Sequence, residues 1–395
     1  LDSLSREFAR EHSERLWKQL VDAPEEGGSA AVASRTDAIV AFSLAVAAAL
    51  FVKLPGLFGI GMTDEASGEM APFYFRNVSF FVLPLLTGYF VWKRRLDARV
   101  VAWLGAAFVV AAIFANVYPV TPFGPTQVLA AMHLPIALWM VVGVAYAGRR
   151  WKEAAGRMDF IRFSGELFIY YVLIALGGGV FTGFMALIFQ SIGISIEQFM
   201  QFWLLPCGAA GAVLVASWLV EAKQSVIENM APVLARLFTP LFAAVLVAFL
   251  GALLIKGGGL NIERELLIVF DLLLVVVLGL LLYSISARDP QAPAGAFDIV
   301  QVVLLVSALL ADAVALWAIG ARITEFGLSP NRVAALGMNV ILLVNLAWSA
   351  VLYLRFLRGR GAFSTIERWQ TKYLPVYAVW AAIVVIVFPP LFRYI

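Results

Sequence analysis

Polar side chains inside long apolar stretches are the residues of this sequence that could carry chemistry. Asp271, Asp312, Asn339 and His133 each lie in a different apolar run of about 20 residues, the length that crosses a bilayer. At a rise of about 1.5 Å per residue, each lies about 8–13 Å from the nearer end of its run, so the four are predicted to share one layer. A charged or polar side chain at such a depth is costly unless it faces protein or water.

Two hypotheses account for this layer. In the first, Asp271 and Asp312 are proton or cation sites in a polar pocket that opens to the outer side of a membrane. In the second, the polar residues only join helices, and each bond contributes about 1 kcal/mol or less. His133 taken by itself favours the second, structural hypothesis.

Charged residues are predicted just above this layer, at Arg76, Arg322, Glu325 and Arg332. A guanidinium group matches a carboxylate or phosphate with two parallel hydrogen bonds. We therefore expect Arg322 or Arg332 to contact an acid of the layer, Glu325 or a lipid phosphate. In the alternative, both arginines extend unpaired into outer water.

A glycine triplet lies in the fifth apolar run. It consists of Gly177, Gly178 and Gly179, and Thr182 follows it. Such a triplet can break a membrane helix and expose carbonyls to an ion, or it can let two helices approach closely. Glu166, near the inner end of the run, is a candidate inner-gate residue or a partner of Arg162 one turn away.

Signatures of soluble enzymes are absent from the sequence. It has no Walker A loop, no H-E-x-x-H, no paired C-x-x-C and no G-x-S-x-G elbow, so we predict no ATP-driven chemistry. Two histidines and one cysteine cannot build a His-rich metal site, and we predict no metal, no cofactor and no catalytic residue. One alternative stays open, because Asp64 and Glu65 lie in the first outer loop, where polytopic glycosyltransferases that use lipid-linked sugars keep a catalytic acid.

Composition indicates which elements position these residues. Hydrophobic residues make up 62% of the 395 residues and charged residues 14%, against roughly half and a quarter in soluble domains. The surplus falls in runs that must be helices, because lipid cannot satisfy bare backbone groups. The sequence therefore predicts an all-α fold, a polytopic transmembrane helical bundle of about eleven spans. The predicted spans are Asp37–Leu54, Phe75–Trp92, Arg99–Val117, Val128–Ala147, Phe160–Ile188, Phe199–Val220, Pro232–Ile255, Arg264–Ser286, Ile299–Ala321, Arg332–Leu354 and Tyr373–Phe392.

The positions of Lys and Arg orient this bundle. With the N-terminus inside, 22 of the 29 basic residues fall on the cytoplasmic side and 7 on the outer side, alternating loop by loop. Because cytoplasmic loops are enriched in Lys and Arg, we predict a multi-pass protein of the bacterial inner (plasma) membrane, with its N-terminus inside and its C-terminus outside. The net charge of +3 does not suggest a nucleic-acid partner.

Two segments are predicted on the inner surface. Residues 1–36 form a cytoplasmic amphipathic helix and linker, followed by a transmembrane helical domain at 37–395. The segment Ser364–Lys372 begins with a capping-box pattern, and Phe363, Ile366 and Trp369 recur at three-residue spacing. We expect both segments to lie at the membrane interface or, in the alternative, to bind a protein partner.

Two stretches of the chain carry a family resemblance. Phe73–Pro84 reads FYFRNVSFFVLP and precedes the basic Trp92–Arg95, and Ala321–Arg332 reads ARITEFGLSPNR. Together they resemble the bacterial membrane family called domain of unknown function 4153 (DUF4153). Its members carry an Arg-Asn before a proline-containing span and an Arg-Ile-x-x-Tyr-Gly-Leu-Thr-x-x-Arg segment, where Phe326 and Ser329 replace the Tyr and Thr here. The resemblance implies an integral membrane protein and assigns no activity to any residue.

The second stretch also has a physical interpretation. Gly327 suits the left-handed position that ends a helix, Ser329 can cap the next helix, and Pro330 suits its first position. We therefore predict a tight helical hairpin on the outer face. Arg332 would then oppose the dipole of the second helix, which calls for an acidic partner.

The sequence favours an ATP-independent transporter or permease for a small solute, ion or lipid. The alternatives are a non-catalytic membrane subunit, scaffold or sensor, and a membrane enzyme that acts on a lipid-linked substrate at the outer face. Predicted partners are membrane lipids, together with a small-molecule or ion substrate or a partner membrane subunit. A water-filled crevice that reaches Asp271 and Asp312 would favour transport, and a dry polar layer beside a large apolar flank would favour the subunit.

Overall fold

The structure, a computed structural model, describes residues 35–63, 70–191, 194–222, 230–256 and 264–395. These residues are helical and form no strand beyond one isolated bridge between Thr63 and Met70, so the all-α prediction is confirmed. Within them lie eleven long helices: α1 Arg35–Lys53, α2 Pro72–Arg94, α3 Ala98–Val117, α4 Pro125–Ala147, α5 Ala154–Ser191, α6 Leu205–Ala222, α7 Met230–Lys256, α8 Arg264–Ser286, α9 Ala296–Phe326, α10 Pro330–Leu357 and α11 Ser364–Ile386. Shorter helical turns occur at Leu54–Phe58, Gly148–Lys152, Glu197–Phe199, Met200–Leu204 and Phe388–Leu391.

Length and hydropathy mark the chain as a membrane protein. In the described residues, seven helices are long and apolar enough to cross a bilayer. They are Arg35–Phe58, Ala98–Val117, Pro125–Lys152, Ala154–Gln190, Glu197–Ala222, Ala296–Phe326 and Pro330–Leu357. Shorter apolar stretches, Arg236–Gly251 and Asp271–Ser286, lie in α7 and α8.

Two predictions fall outside the described ranges. They concern the amphipathic helix and linker, of which residues 1–34 are not described, and the outer-loop acids Asp64 and Glu65. Both stay predictions.

Contacts between helix termini define two ends of the bundle. At one end, Arg94 Nε of α2 donates to the backbone carbonyl of Tyr146 in α4 at 3.1 Å, and Arg162 Nε of α5 donates to the last residue of α8 at 2.9 Å. At the other end, the Tyr118 hydroxyl donates to the carbonyl of Ile386 in α11 at 2.9 Å. We call the first the basic end and the second the opposite end.

Buried side chains form two main cores. The first joins the start of α5 to α7, α8, α9, α10 and α11, around residues such as Leu274 and Leu346. The second joins α1 to α6 around residues such as Leu86 and Val142. Helix α9 contributes four buried alanines to the first core, Ala308, Ala311, Ala315 and Ala318, and such small side chains let helices approach closely.

The turn between α9 and α10 has the predicted chemistry. Gly327 ends α9 with a φ of 75°, in the left-handed region that glycine adopts freely. Ser329 Oγ accepts a hydrogen bond from the backbone N–H of Arg332 at 3.4 Å, and Pro330 lies in the first helical turn. The predicted helix stop, cap and helix start are therefore confirmed at Gly327, Ser329 and Pro330.

The segment Ser364–Lys372 differs from the prediction. It forms the first turns of α11, which continues unbroken to Ile386. The residue before the helix is Phe363, and it provides no side-chain cap, so the predicted capping box is wrong. Phe363 and Ile366 are buried in the first core, and Tyr353 of α10 meets Phe363 edge to face. The apolar side chains of this segment therefore face protein instead of a membrane surface.

The glycine triplet leaves α5 intact. This helix runs without a break from Ala154 to Ser191, and Thr182 Oγ1 donates to the Gly178 carbonyl at 2.7 Å, an ordinary bond to the preceding turn. The broken-helix prediction for Gly177, Gly178, Gly179 and Thr182 is wrong, because the backbone keeps its helical path through them. A Cβ at any of the three glycines would meet nothing within 4 Å, so no close helix approach within the described chain explains them either.

Candidate functional site

Two residues of the predicted polar layer, Asp271 and Asn339, are joined by a hydrogen bond, and a third, Asp312, is buried on the helix that lies between theirs in the chain. Asp271 lies on α8, Asp312 on α9 and Asn339 on α10. Asp312 and Asn339 are both 0% exposed, and Asp271 is half-buried. We call these three residues the acidic cluster.

Asn339 joins two parts of this cluster. Its Nδ2 donates to Asp271 Oδ1 at 2.9 Å and to the Ala335 carbonyl, also at 2.9 Å. Because the Ala335 carbonyl can only accept, the orientation of the amide is fixed, and its Oδ1 is an acceptor. Asp312 interacts electrostatically with Asp271, so each carboxylate acts on the charge of the other.

The cluster holds more acceptors than donors. Among the described residues, Asp312 Oδ1, Asp312 Oδ2 and Asn339 Oδ1 have no hydrogen-bond partner. The ion pairs formed in the described ranges include neither Asp271 nor Asp312. A buried acceptor left unpaired costs about 1–3 kcal/mol, and two neighbouring carboxylates without a counter-charge do not both ionise readily. The arrangement is therefore suited to hold a proton or a cation.

A second buried asparagine, Asn345, lies further along α10 and differs from Asn339 in its hydrogen bonds. Asn345 Nδ2 donates to Gln370 Oε1 at 3.0 Å and to the Tyr377 hydroxyl at 2.7 Å. Its Oδ1 accepts from Ser349 Oγ at 3.0 Å and from Trp369 Nε1 at 3.2 Å. Every polar atom of this amide is paired, as expected for residues that only join helices. Sequence analysis missed this network, although Asn345 carried the same signal as Asn339, a polar residue inside a predicted span.

No hydrogen bond or ion pair among the described residues joins His133 or Arg76 to the acidic cluster. His133 Nδ1 lies 2.8 Å from the Leu129 carbonyl, so this nitrogen carries the proton, and Nε2 has no partner among the described residues. Arg76 lines a small cavity of about 20 Å³ together with Tyr118 and Gln127. The four residues of the predicted layer therefore do not form one hydrogen-bonded network within the described residues.

Arg332 binds carbonyl groups instead of a carboxylate. Its Nη1 donates to the carbonyls of Phe326 at 3.1 Å and Gly327 at 2.7 Å, and the guanidinium lies 5.4 Å from the centre of the Phe326 ring. Arg332 thus complements the C-terminal dipole of α9, which compensates for its place in the first turn of α10. Arg332 forms no ion pair with an acid among the described residues, and the predicted alternatives, Arg322 or a lipid phosphate, stay predictions. Glu325 is exposed and forms no ion pair within the described residues, and Arg322 is half-buried near the end of α9.

The basic end contains a charged cavity of about 410 Å³. Its charged lining consists of Arg94, Arg150, Asp159, Arg162, Glu166 and Glu221. Arg94 Nη2 donates to both carboxylate oxygens of Glu221 at 3.1 Å, and Arg150 Nη1 lies 3.0 Å from Asp159. Glu166 and Arg162, the predicted gate or pair, line this cavity together. Since much of its charge is engaged in mutual pairs, the cavity offers fewer free ligand groups than the acidic cluster.

Arg288 anchors the loop after α8 at the basic end. Its guanidinium pairs with the buried carboxylate of Asp298 at 3.0 Å and lies 4.4 Å from the centre of the Phe363 ring. Burial raises the pKa of the nearby Glu367 above its ordinary value, although Arg162 and Arg288 act to lower it. These contacts stabilise the start of α9 and α11 and hold no free group for a ligand.

Comparison with known proteins does not assign a role to this arrangement. No protein-family model, curated protein or solved structure matches the chain. In the described ranges, no group of three or more His, Cys, Asp or Glu side chains could hold a metal ion. A function has to be argued from the acidic cluster itself.

Proposed function

We propose that this protein is an ATP-independent transporter or permease of a bacterial inner membrane, in which the acidic cluster carries a proton or cation that moves with a small solute. The observation that supports this is Asp312, which is 0% exposed and whose two carboxylate oxygens have no partner among the described residues. A polar residue that only joins helices would be hydrogen-bonded across them, as Asn345 is. Binding and release of a cation at Asp312 provides a coupling event.

The proposal includes eleven spans, with the N-terminus in the cytoplasm and the C-terminus outside. Each predicted span overlaps one of the eleven long helices. Arg94, Arg150 and Arg288 meet at the basic end, as expected for the cytoplasmic face.

Thiol labelling tests this topology in intact cells. In a Cys207→Ala background, Arg94→Cys, Arg150→Cys and Arg358→Cys should resist an impermeant thiol reagent, whereas Ser67→Cys, Gly258→Cys and Ser329→Cys should react. The expectation follows from the excess of basic residues on one side. Reaction of the first set in sealed cells would reverse the orientation.

Transport is tested with the full chain in proteoliposomes. Concentration jumps of amino acids, sugars and carboxylates are applied under a Na⁺ or proton gradient, and charge movement is recorded on a solid-supported membrane. We expect one solute class to give a current that Asp312→Asn abolishes. The control is Asp289→Asn, the same substitution at an exposed turn, which should leave the current unchanged. The proposal is refuted if no class gives a current and if Asp271→Cys is unreactive to water-soluble thiol reagents.

One feature favours a second candidate, a membrane subunit or scaffold. The distal half of α5 exposes large apolar side chains, with Leu176 64% and Phe181 63% exposed. No residue of the most apolar window of this helix is buried, so it faces lipid or another chain. Cross-linking of Gly179→Cys to a co-purifying protein, with no current in the transport assay, would favour this candidate.

We also propose membership of the DUF4153 family, on the two stretches that resemble it. In support, the second stretch forms a turn whose parts have clear physical roles, with Ser329 as cap and Arg332 bound to the last carbonyls of α9. A structure of a family member provides the test. An arginine that fails to reach the preceding helix there would count against the assignment.

A further inference from the structure

We infer that Arg76 and Gln127 bind one small inorganic anion at the opposite end of the bundle, with chloride as the ion to test. The two side chains line the same cavity of about 20 Å³. The inference is independent of the acidic cluster and of the proposed transport function. It depends on a positive charge and on hydrogen-bond donors that the described residues leave without partners.

Arg76 supplies the charge of this site. Its side chain is half-buried near the start of α2, and its Nε has no hydrogen-bond partner in the ranges that the structure describes. The ion pairs of those ranges do not include Arg76. Ile395 at the same end offers no counter-charge inside the cavity, because its oxygen accepts from the Thr126 backbone N–H at 2.8 Å and the residue is not part of the lining. A guanidinium partly removed from water without a counter-charge calls for an anion.

Gln127 supplies directed donors. It lies in the first turn of α4 and is 2% exposed. Its Oε1 accepts a hydrogen bond from the backbone N–H of Phe123, which fixes the orientation of the amide and leaves Nε2 as the donor. That bond is the only one that the Gln127 side chain forms within the described part of the chain. Arg76 and Gln127 therefore bring unused N–H groups to the lining of one small cavity.

The size of the cavity restricts the ligand. A cavity measure of about 10–15 Å³ is enough for one water molecule, so the space of about 20 Å³ holds a single particle of that order. A monatomic anion fits, whereas a whole phosphate or carboxylate group does not. A water molecule would accept the same hydrogen bonds but would leave the charge of Arg76 uncompensated. One chloride ion accepts from both side chains and offsets this charge one for one.

The remaining walls suit a weakly hydrated anion. They are formed mostly by apolar side chains, which include Phe114, Ala130, Ala131, Leu134 and Val385. Tyr118 also lines the cavity, but its hydroxyl donates to the Ile386 carbonyl at 2.9 Å and so closes the wall instead of binding the ion. The polar contacts of the ion are therefore assigned to Arg76 and Gln127.

The experiment measures anion binding to the purified full chain in nanodiscs of phosphatidylcholine. Binding of ³⁶Cl⁻ and the thermal midpoint are followed in sodium chloride, bromide and gluconate at equal ionic strength and pH. We expect saturable binding of one chloride per chain. The midpoint should be higher in chloride and bromide than in gluconate, because gluconate is too large for the cavity and an ion that binds only the folded state stabilises it.

Three variants place the ion in this cavity. Arg76→Gln removes the charge and should weaken chloride binding by about tenfold or more. Gln127→Glu puts a carboxylate in the cavity that can still accept from the Phe123 N–H, so it should take the place of the ion and remove the chloride dependence of the midpoint. Arg149→Gln is the control, because it removes the same charge from a side chain that is 86% exposed, and it should bind chloride as the wild type does.

The outcomes separate chloride from the other occupants. Equal midpoints in chloride and gluconate, with no saturable ³⁶Cl⁻ binding to the wild type, overturn the inference whether or not Arg76→Gln folds, and they leave the cavity to a water molecule. A midpoint in gluconate that rises when phosphatidylglycerol is added, without ³⁶Cl⁻ binding, also overturns it and identifies a lipid phosphate as the partner of Arg76. Saturable ³⁶Cl⁻ binding that Gln127→Glu leaves unchanged refutes the assignment of the ion to this cavity.

Discussion

Replacing Asp312 by leucine should stabilise the protein while abolishing the solute-driven current. Asp312 is fully buried and its two oxygens have no partner among the described residues. An unpaired buried acceptor costs about 1–3 kcal/mol, and leucine removes this cost. The larger side chain must fit beside Ala311 and Ala315, and such overpacking costs about 1 kcal/mol. The net expectation for Asp312→Leu is a free energy of unfolding higher by up to about 2 kcal/mol.

Asn345→Leu is the matched control on the neighbouring helix. Asn345 is equally buried, but leucine there leaves Gln370 and Tyr377 without their partner, at about 1–3 kcal/mol for each. Thermal midpoints measured in choline chloride should therefore shift in opposite directions for the two variants. If Asp312→Leu lowers the midpoint as far as Asn345→Leu does, Asp312 is a structural residue and the argument for a site is lost.

Two further predictions test packing and charge burial through thermal midpoints. Gly337→Ala would place a Cβ 2.0 Å from the Trp380 ring and should lower the free energy of unfolding by about 1–3 kcal/mol. Gly320→Ala is the control, because its Cβ would meet nothing within 4 Å, and it should be neutral or raise the free energy of unfolding by up to about 1 kcal/mol. Similar losses for both variants would contradict the close approach of α10 and α11. Arg288→Ala leaves the buried carboxylate of Asp298 unpaired and should lower the free energy of unfolding by about 3–5 kcal/mol. Arg149→Ala is the control, because it breaks a pair whose side chains are 86% and 63% exposed, and it should lower the free energy of unfolding by about 1 kcal/mol or less. A loss for Arg149→Ala as large as that for Arg288→Ala would show that burial does not set these energies.

The sequence predicted local structure correctly where a residue type has one common structural role. A glycine followed two residues later by Ser-Pro has few interpretations, and Gly327, Ser329 and Pro330 form the predicted turn. Long apolar runs likewise predict helices, because no other backbone satisfies itself in lipid. The depth argument placed Asp271 and Asn339 in one layer, and their side chains are joined by a hydrogen bond.

The sequence could not show which helices are neighbours. His133 was placed in the layer by its depth and Arg76 just above it, yet α4 and α2 belong mainly to the second core. An acidic partner was predicted for Arg332 because the sequence places this residue in the first turn of its helix. The sequence does not show that its long side chain reaches back to the carbonyls of α9. The glycine triplet at Gly177 also allowed more than one interpretation, because glycine permits a break in a helix without requiring one.

The two asparagines of α10 show how this helix serves both stability and the site. Asn345 joins α10 to α11 through a fully paired amide, and the turn at Ser329 and Arg332 ties its start to α9. Asn339 lies between these two fixed points, so its carbonyl oxygen is held in place by the fold. The paired contacts of Asn345, Ser329 and Arg332 stabilise α10. They thus offset the free-energy cost of the unpaired oxygens in the acidic cluster.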